Sequence, residues 1–330
     1  MQELEGLREQ VARSWLMVRE PRMASVLRVQ AAILEAIRQH LNARGFVECL
    51  PPIIGPVTDP GIRGAKQAAV DFYGREYRVM SSAILYKQMM ASALGRMYFL
   101  SPNVRLEPPE TLGTGRHLVE FVQADVEVAG ASYHDAMRLA EELLVEVLKH
   151  VRHRCAEELE RLGRGIRVPS LPFRRLSYDE ALGLLRELGR AVEHGIEIPW
   201  EEERLLSAAF EEPFFIYDYP KGARGFYDRE DPERPGLLRD FDLLYPGGYG
   251  EAASGAEREH EYARVVARIR NQGEDPQKYG WYLEMLRHGV PPSAGFGLGI
   301  ERLTRYICGG PQEPIWRFRP YPKLPGLYSP

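Results

Sequence analysis

"GRHLVEFVQADVE", Gly115 to Glu127, reads as a strand with two unlike faces. Alternation puts Leu118, Val122, Ala124 and Val126 on an ordinary core face. His117, Val119, Phe121, Gln123, Asp125 and Glu127 fall on the other. A ring, an imidazole, an amide and two carboxylates side by side describe a surface that meets a ligand. The strand is therefore expected to be packed on one side and open to a site on the other.

The preceding stretch, "RMYFLSPNVRLEPP", is also extended, and "PPETLGTG" between the two has the Pro, Gly and Thr of a hairpin turn. Pairing them brings Arg105 and Glu107 to the polar face. A guanidinium can hold a phosphate bidentately, His117 can donate to another phosphate oxygen, Phe121 offers a flat surface to a base, and Asp125 can receive an ammonium group. Any one such pair is more often a salt-bridged sheet surface, but five convergent groups favour a site.

Two later stretches add to it. "AGFGLGIERL", Ala294 to Leu303, has small residues where a strand feeds a helix, followed by Arg302. Glycines there let a ligand approach the backbone, and the arginine directs the reading to phosphate. In "DFDLLYPGGYGEAASGAEREHEY", Asp242, Glu251 and Ser254 surround a glycine-rich turn, and their oxygens suit magnesium bridging a polyphosphate. Arg258, expected at the start of a helix, can bind a carboxylate.

With 330 residues, 44% of them apolar, the chain can bury a sizeable core. Its net charge is −4 and it has no dense Lys/Arg block, so extended nucleic-acid binding gains no support from the overall field. No apolar run approaches a membrane span, and the charged N-terminus is unlike a signal peptide, which makes the cytoplasm the expected location. Cys49, Cys155 and Cys308 match no CxxC pattern and read as buried thiols. Position 2 is Gln, so a glutaminase-type N-terminal cysteine is lacking and any ammonia chemistry would use free ammonia or a separate supplier.

Helical spacing covers 24–43, closed by Gly45, then 81–95 with Ser81 or Ser82 as N-cap, and a long stretch over 132–163. Ser177 and Glu180 form a capping box for a further helix, and others are expected near 258–271, 276–288 and the end of 295–308. Strands are expected at 76–80 and, from 213 onward, at "PFFIYDYP", "GFYD" and "RDFDLLYP". With no internal repeat and no Gly/Ser-rich linker, the expectation is one continuous α+β domain over 1–330, a mostly antiparallel sheet flanked by helices, with 1–23 as an N-terminal extension.

These segments carry a resemblance. "VRLE…RHLVEFVQADVE" resembles motif 2 of class II aminoacyl-tRNA synthetases, "GFGLGIERL" resembles motif 3, and "RGFVECLPP", with Pro52, resembles motif 1, the dimer interface of that family. "ILYKQ", "PFFIYDYP", "RDFDLL", "GEAASGAEREHEY" and "GVPPSAGFGLG" look like the aspartyl/asparaginyl branch in its order, over about residues 13 to 318. The resemblance implies that Arg105 grips the α-phosphate of ATP and that Glu107, His117, Phe121, Glu251 and Arg302 attend the nucleotide. It further implies that Asp242, Glu251 and Ser254 serve Mg2+, while Ser82, Lys87, Gln123, Asp125 and Arg258 bind aspartate. Lysine at position 87 is the aspartate-specific choice.

The departures point further. The N-terminal anticodon-reading barrel of that branch has no counterpart here, Ile84 stands for a usual glutamine, and Ser293 stands for a usual histidine. This pattern resembles the archaeal asparagine synthetases related to those enzymes. It implies a homodimer that makes asparagine from L-aspartate, ATP and ammonia through a β-aspartyl adenylate, with a tRNA partner not expected. Aspartate activation for tRNA or another acceptor, and a silent ATP- or aspartate-binding regulator, are the alternatives.

Overall fold

The computed structural model describes residues 2–59 and 65–330. Its strands are β1 (Val47–Glu48), β2 (Ile54–Gly55), β3 (Ala69–Phe72), β4 (Arg75–Val79), β5 (Arg96–Val104), β6 (Glu120–Ala129), β7 (Arg174–Ser177), β8 (Phe214–Tyr217), β9 (Asp240–Tyr245), β10 (Gly250–Glu257) and β11 (Ser293–Gly299). Among the described residues they form an eight-stranded sheet, ordered β1-β5-β6-β11-β10-β9-β8-β7, and a small sheet ordered β2-β4-β3. Only the two edge pairs of the large sheet, β1 with β5 and β7 with β8, are parallel. The expected α+β fold with a mostly antiparallel sheet is what the chain adopts.

One face of the large sheet carries the core. Ala124 and Val126 on β6 and Phe296 and Leu298 on β11 pack with the helices Pro21–Ala43, Tyr133–Arg154 and Ile300–Cys308 in one cluster. The helix Tyr133–Arg154 presents Met137, Leu144, Leu148 and Val151 at helical spacing to that face. The helical pattern over 132–163 is broken at Cys155, where φ is −121°, and resumes as a short helix Ala156–Arg161. Ser177 and Glu180 form the expected capping box. Gly45, at φ +77°, ends the helix Pro21–Ala43 as expected.

The opposite face of the central strands is the polar one, and glycines make it possible. In the β11/β6 register, Gly295 stands opposite Glu127, Gly297 opposite Asp125 and Gly299 opposite Gln123. A Cβ at Gly295 would come within 2.0 Å of Val126 O and 2.2 Å of Glu127 Oε2. At Gly297 it would meet Asp125 Oδ1 and the Gln123 amide at 3.1 Å. The glycines of "AGFGLG" thus give the buried acids of β6 their space as well as opening the wall to a ligand.

Three sequence expectations change. Arg258 does not open a helix: it directly follows β10, donates its backbone N–H to Ser293 O at 2.8 Å, and the next helix begins at Tyr262. "GFYD" is a turn with an isolated bridge between Asp228 and Arg258. The helix Ile84–Leu94 takes Ala83 as its N-cap; Ser82 Oγ accepts only the Ile84 N–H at 3.3 Å, and the Ser81 hydroxyl is turned to Thr58 and Asp59 O.

Candidate active site

The polar face of β6 is the floor of a cleft of about 580 Å³. Ser82, Lys87, Arg105, Glu107, His117, Phe121, Gln123, Asp125, Glu251, Ser254, Arg258 and Arg302 all line it. Residues more than two hundred positions apart are therefore brought together much as the sequence predicts. Asp242 is the exception, as set out below.

At one end, Arg105 leaves the strand just beyond β5, its N–H bonded to Val119 O at 2.8 Å. Its Nε donates to Ser81 O at 3.1 Å and its Cζ lies 5.1 Å from the Phe121 ring centroid. The guanidinium is thus held by its inner nitrogen, which leaves the outer ones for a ligand. Arg302, one turn into the helix Ile300–Cys308, pairs with Glu251 at 3.0 Å. Burial pushes the His117 pKa down to about 3, with Arg302 and Arg116 nearby acting in the same direction. His117 is therefore a neutral imidazole, and its Nδ1 lies 2.9 Å from Thr114 Oγ1. Burial also raises the Glu107 carboxyl above its ordinary value.

At the other end, buried charges are stacked closely. Lys87 Nζ is 3.2 Å from Asp125 Oδ1, 3.1 Å from Phe296 O and 3.8 Å from Glu127 Oε2. Arg258 bonds Glu127 through Nε at 3.1 Å and Asp228 through Nη1 at 3.2 Å. Ser293 Oγ donates to Glu127 Oε1 at 2.8 Å. Glu127, fully buried, is thus the brace that fixes both cations. Burial lowers the Lys87 pKa, against the pull of Asp125 and Glu127. Two cations with a carboxylate edge, Asp125 Oδ2 having no hydrogen-bond partner among the described residues, can take a ligand that carries both a carboxylate and an ammonium group.

Of the oxygens expected to serve magnesium, Ser254 and Asp242 are register partners on β10 and β9, and Glu251 is three residues before Ser254. Asp242 is 2% exposed, lies off the cleft wall, and its Oδ2 accepts from Arg224 Nη2 at 2.6 Å. Arg224 also pairs with Glu197 and Asp240, touches Ser254 Oγ at 3.3 Å, and lies over Tyr219. Glu251 is shared between Arg116 and Arg302. Among the described residues, no group of three His, Cys, Asp or Glu side chains is placed to hold a metal ion. With both carboxylates facing guanidinium groups, these side chains alone make no magnesium cage, and an ion here would also need oxygens of a bound polyphosphate, the bridging arrangement the sequence suggests.

Sequence reasoning missed Arg116, Trp200, Glu203, Arg224 and Asp228, all on the cleft wall. Arg116 adjoins His117 but is out of step with the polar face, and Trp200 and Glu203 come from a distant helix.

Comparison with known proteins decides the family. The family model "tRNA synthetases class II (D, K and N)" matches residues 7–325. The chain belongs to that family. It is 35% identical over 297 residues to an asparagine–tRNA ligase from Thermococcus gammatolerans, covering 88% of this chain and 67% of that one. An aspartate–tRNA(Asp/Asn) ligase from Methanopyrus kandleri is 40% identical over 288 residues, covering 86% and 64%. This class II chain thus spans about two thirds of these relatives' length. The structure of asparaginyl-tRNA synthetase from Pyrococcus horikoshii complexed with asparaginyl-adenylate superposes with a TM-score of 0.90 at 32% identity, covering 97% of this chain and 73% of that one. The synthetase catalytic fold and a ligase of the aspartyl/asparaginyl branch follow from these matches.

Proposed function

We propose that this class II ligase activates aspartate with ATP as an aspartyl adenylate. The observation that carries the reading is the pair of buried cations, Lys87 and Arg258, fixed by Glu127 beside Asp125 in the same cleft as Arg105 and Arg302. A neutral asparagine side chain has little need of two cations, whereas aspartate brings two carboxylates, one for the cations and one to be activated. Arg105 neutralises charge on the α-phosphate as the carboxylate attacks, Phe121 stacks on adenine, and Glu107 and His117 attend the nucleotide. Gln123 and Ser82 border the amino-acid end. ATP would enter with Mg2+ held chiefly by its own phosphates.

For the acceptor we infer ammonia, giving asparagine, AMP and pyrophosphate from the β-aspartyl adenylate. The support is the pocket itself: by the resemblance, Ile84 and Ser293 stand where the tRNA enzymes carry a glutamine and a histidine, and Ser293 donates to Glu127, the carboxylate that braces Lys87 and Arg258. A second reading, transfer of aspartate to tRNA, is favoured by the relatives, whose names are those of tRNA ligases. The region resembling motif 1 supports a homodimer, since Leu50 and Ile53 there are 95% and 64% exposed.

The test incubates the protein with magnesium, ATP and aspartate, with and without ammonium, and measures asparagine, AMP and pyrophosphate by mass spectrometry. A parallel reaction contains tRNA and labelled aspartate. Asparagine formed only with ammonium supports the first acceptor, and charged tRNA without asparagine replaces it by the second. Absence of aspartate-dependent pyrophosphate in every reaction rejects aspartate activation.

A further inference from the structure

A second cavity, of about 250 Å³, opens on the core face of the large sheet, behind the strands that floor the cleft. Its floor is apolar: Phe46, Val126, Ala136 and Phe296 line it and are all buried. Its rim carries Arg44, Arg96 and Arg138 beside Asp135 and Glu142. Arg44 Nη2 donates to Glu142 at 2.9 Å, and Arg138 pairs with Asp135. Arg96 differs from both, since it meets no carboxylate among the described residues. Its Nη1 donates to Arg44 O at 3.1 Å, and its Cζ lies 5.9 Å from the Phe46 ring centroid. One guanidinium is thus tethered over an apolar floor with donors to spare, and three rim cations against two acids leave one positive charge.

The complement of these features is a small molecule with an apolar body and a single carboxylate. The volume lies below the roughly 300 Å³ at which drug-sized sites begin, which limits the body to one ring or a short branched chain. Such a ligand would lie one strand's thickness from the cleft. Val126 stands opposite Phe296 in the β6/β11 register, and Phe296 lines the cavity while its carbonyl accepts Lys87 Nζ at 3.1 Å. Gly295 also lines the cavity, and a Cβ there would come within 2.2 Å of Glu127 Oε2. We propose that this cavity is an effector site for a small apolar monocarboxylate, whose body packs on Phe296 and so fixes the carbonyl that holds Lys87. The site stands on its own geometry; its effect on aspartate rests on the function proposed above.

The probes are 3-phenylpropionate and its neutral counterpart 3-phenylpropanol, each titrated into the protein by calorimetry. The acid is expected to bind the wild type about fivefold or more tighter than the alcohol. Arg96→Glu is expected to weaken the acid about tenfold and Arg96→Gln about threefold, with the alcohol changed by less than about twofold in either. Pyrophosphate exchange then gives the KM for each substrate with and without the acid. Saturating acid is expected to lower the KM for aspartate about threefold or more and to leave that for ATP within about twofold; aspartate in turn tightens the acid by a similar factor, read as heat. No binding of the acid, equal affinity in wild type and both variants, or an aspartate KM that the acid raises or leaves unchanged overturns the inference. Binding that depends on Arg96 in a protein with no aspartate-dependent exchange overturns the proposed function and leaves the site standing.

Discussion

Lys87 Nζ lies 3.2 Å from Asp125 Oδ1, and both residues are 2% exposed. The lysine comes from the helix Ile84–Leu94 and the aspartate from β6, so the ion pair ties that helix to the floor of the cleft. Each group neutralises the other in a place where an unpaired charge would be costly. Their spare valences point to different partners: the ammonium can also take a ligand carboxylate, and Asp125 Oδ2 can take a ligand ammonium.

Lys87→Met should therefore raise the KM for aspartate by about 10- to 100-fold, the size of a lost charge-assisted hydrogen bond, and leave the KM for ATP within about threefold. Aspartate-dependent pyrophosphate exchange measures both. Equal increases for the two substrates would remove Lys87 from the amino-acid end. Since burial lowers the Lys87 pKa, the cation is lost as pH rises through a value below the ordinary 10.5. The wild-type KM for aspartate should accordingly climb on the alkaline side while that for ATP stays flat.

Arg105 is held through Nε to Ser81 O and by the Phe121 ring, so its removal strips little from the core. Arg105→Ala should reduce adenylate formation by about 100- to 1000-fold, the usual cost of deleting a group that meets charge developing in the transition state. The melting temperature should move by only a few degrees. Pyrophosphate release at the wild-type rate would show that the α-phosphate is gripped elsewhere.

His117 gives a pH prediction with a definite sign. Its folded pKa is about 3, against about 6.5 when unfolded, so between these values the unfolded chain binds a proton that the folded one does not. The contribution is present above about pH 6.5 and is lost as pH falls toward 3. His117→Gln should lose less stability than the wild type between about pH 7 and about pH 4, read by urea denaturation at each pH. Parallel losses in the two proteins would mean that the imidazole is protonated in the fold.

The hairpin of β5 and β6 was legible because alternation, a proline and glycine turn, and a face of mixed polar groups all agreed. Strand β10 was not: "GEAASGAE" is made of small residues and shows no apolar alternation, and it becomes a strand because both neighbours pair with it and need the space its side chains leave. That missed strand is why Arg258 was placed at a helix start. The setting of Asp242 was hidden for a different reason. Its partner Arg224 lies in a turn eighteen residues earlier, and no local spacing announces that a guanidinium will pair with Asp242 behind the cleft wall. Glu203 is 87 residues from Arg116, and only the folded chain shows that it belongs to the cleft.

Glu127 braces the end of the cleft proposed to hold the amino acid without lining the cleft itself. It accepts from Arg258 Nε and Ser293 Oγ and lies 3.8 Å from Lys87 Nζ. Two effects compete in Glu127→Gln. Removing a negative charge leaves Lys87 and Arg258 less compensated, which by itself would attract a carboxylate more strongly. The amide also turns donors toward cations it must pack against, so both side chains lose their fixed positions, and burial makes that loss the larger. The variant should lose about 2–4 kcal/mol of stability and show a raised KM for aspartate with an unchanged KM for ATP. Ser293→Ala removes one hydrogen bond and keeps the charge, so it should cost only about 1 kcal/mol and alter aspartate binding little. A lowered KM for aspartate in Glu127→Gln would mean that Glu127 restrains the charge of the pocket instead of holding its geometry.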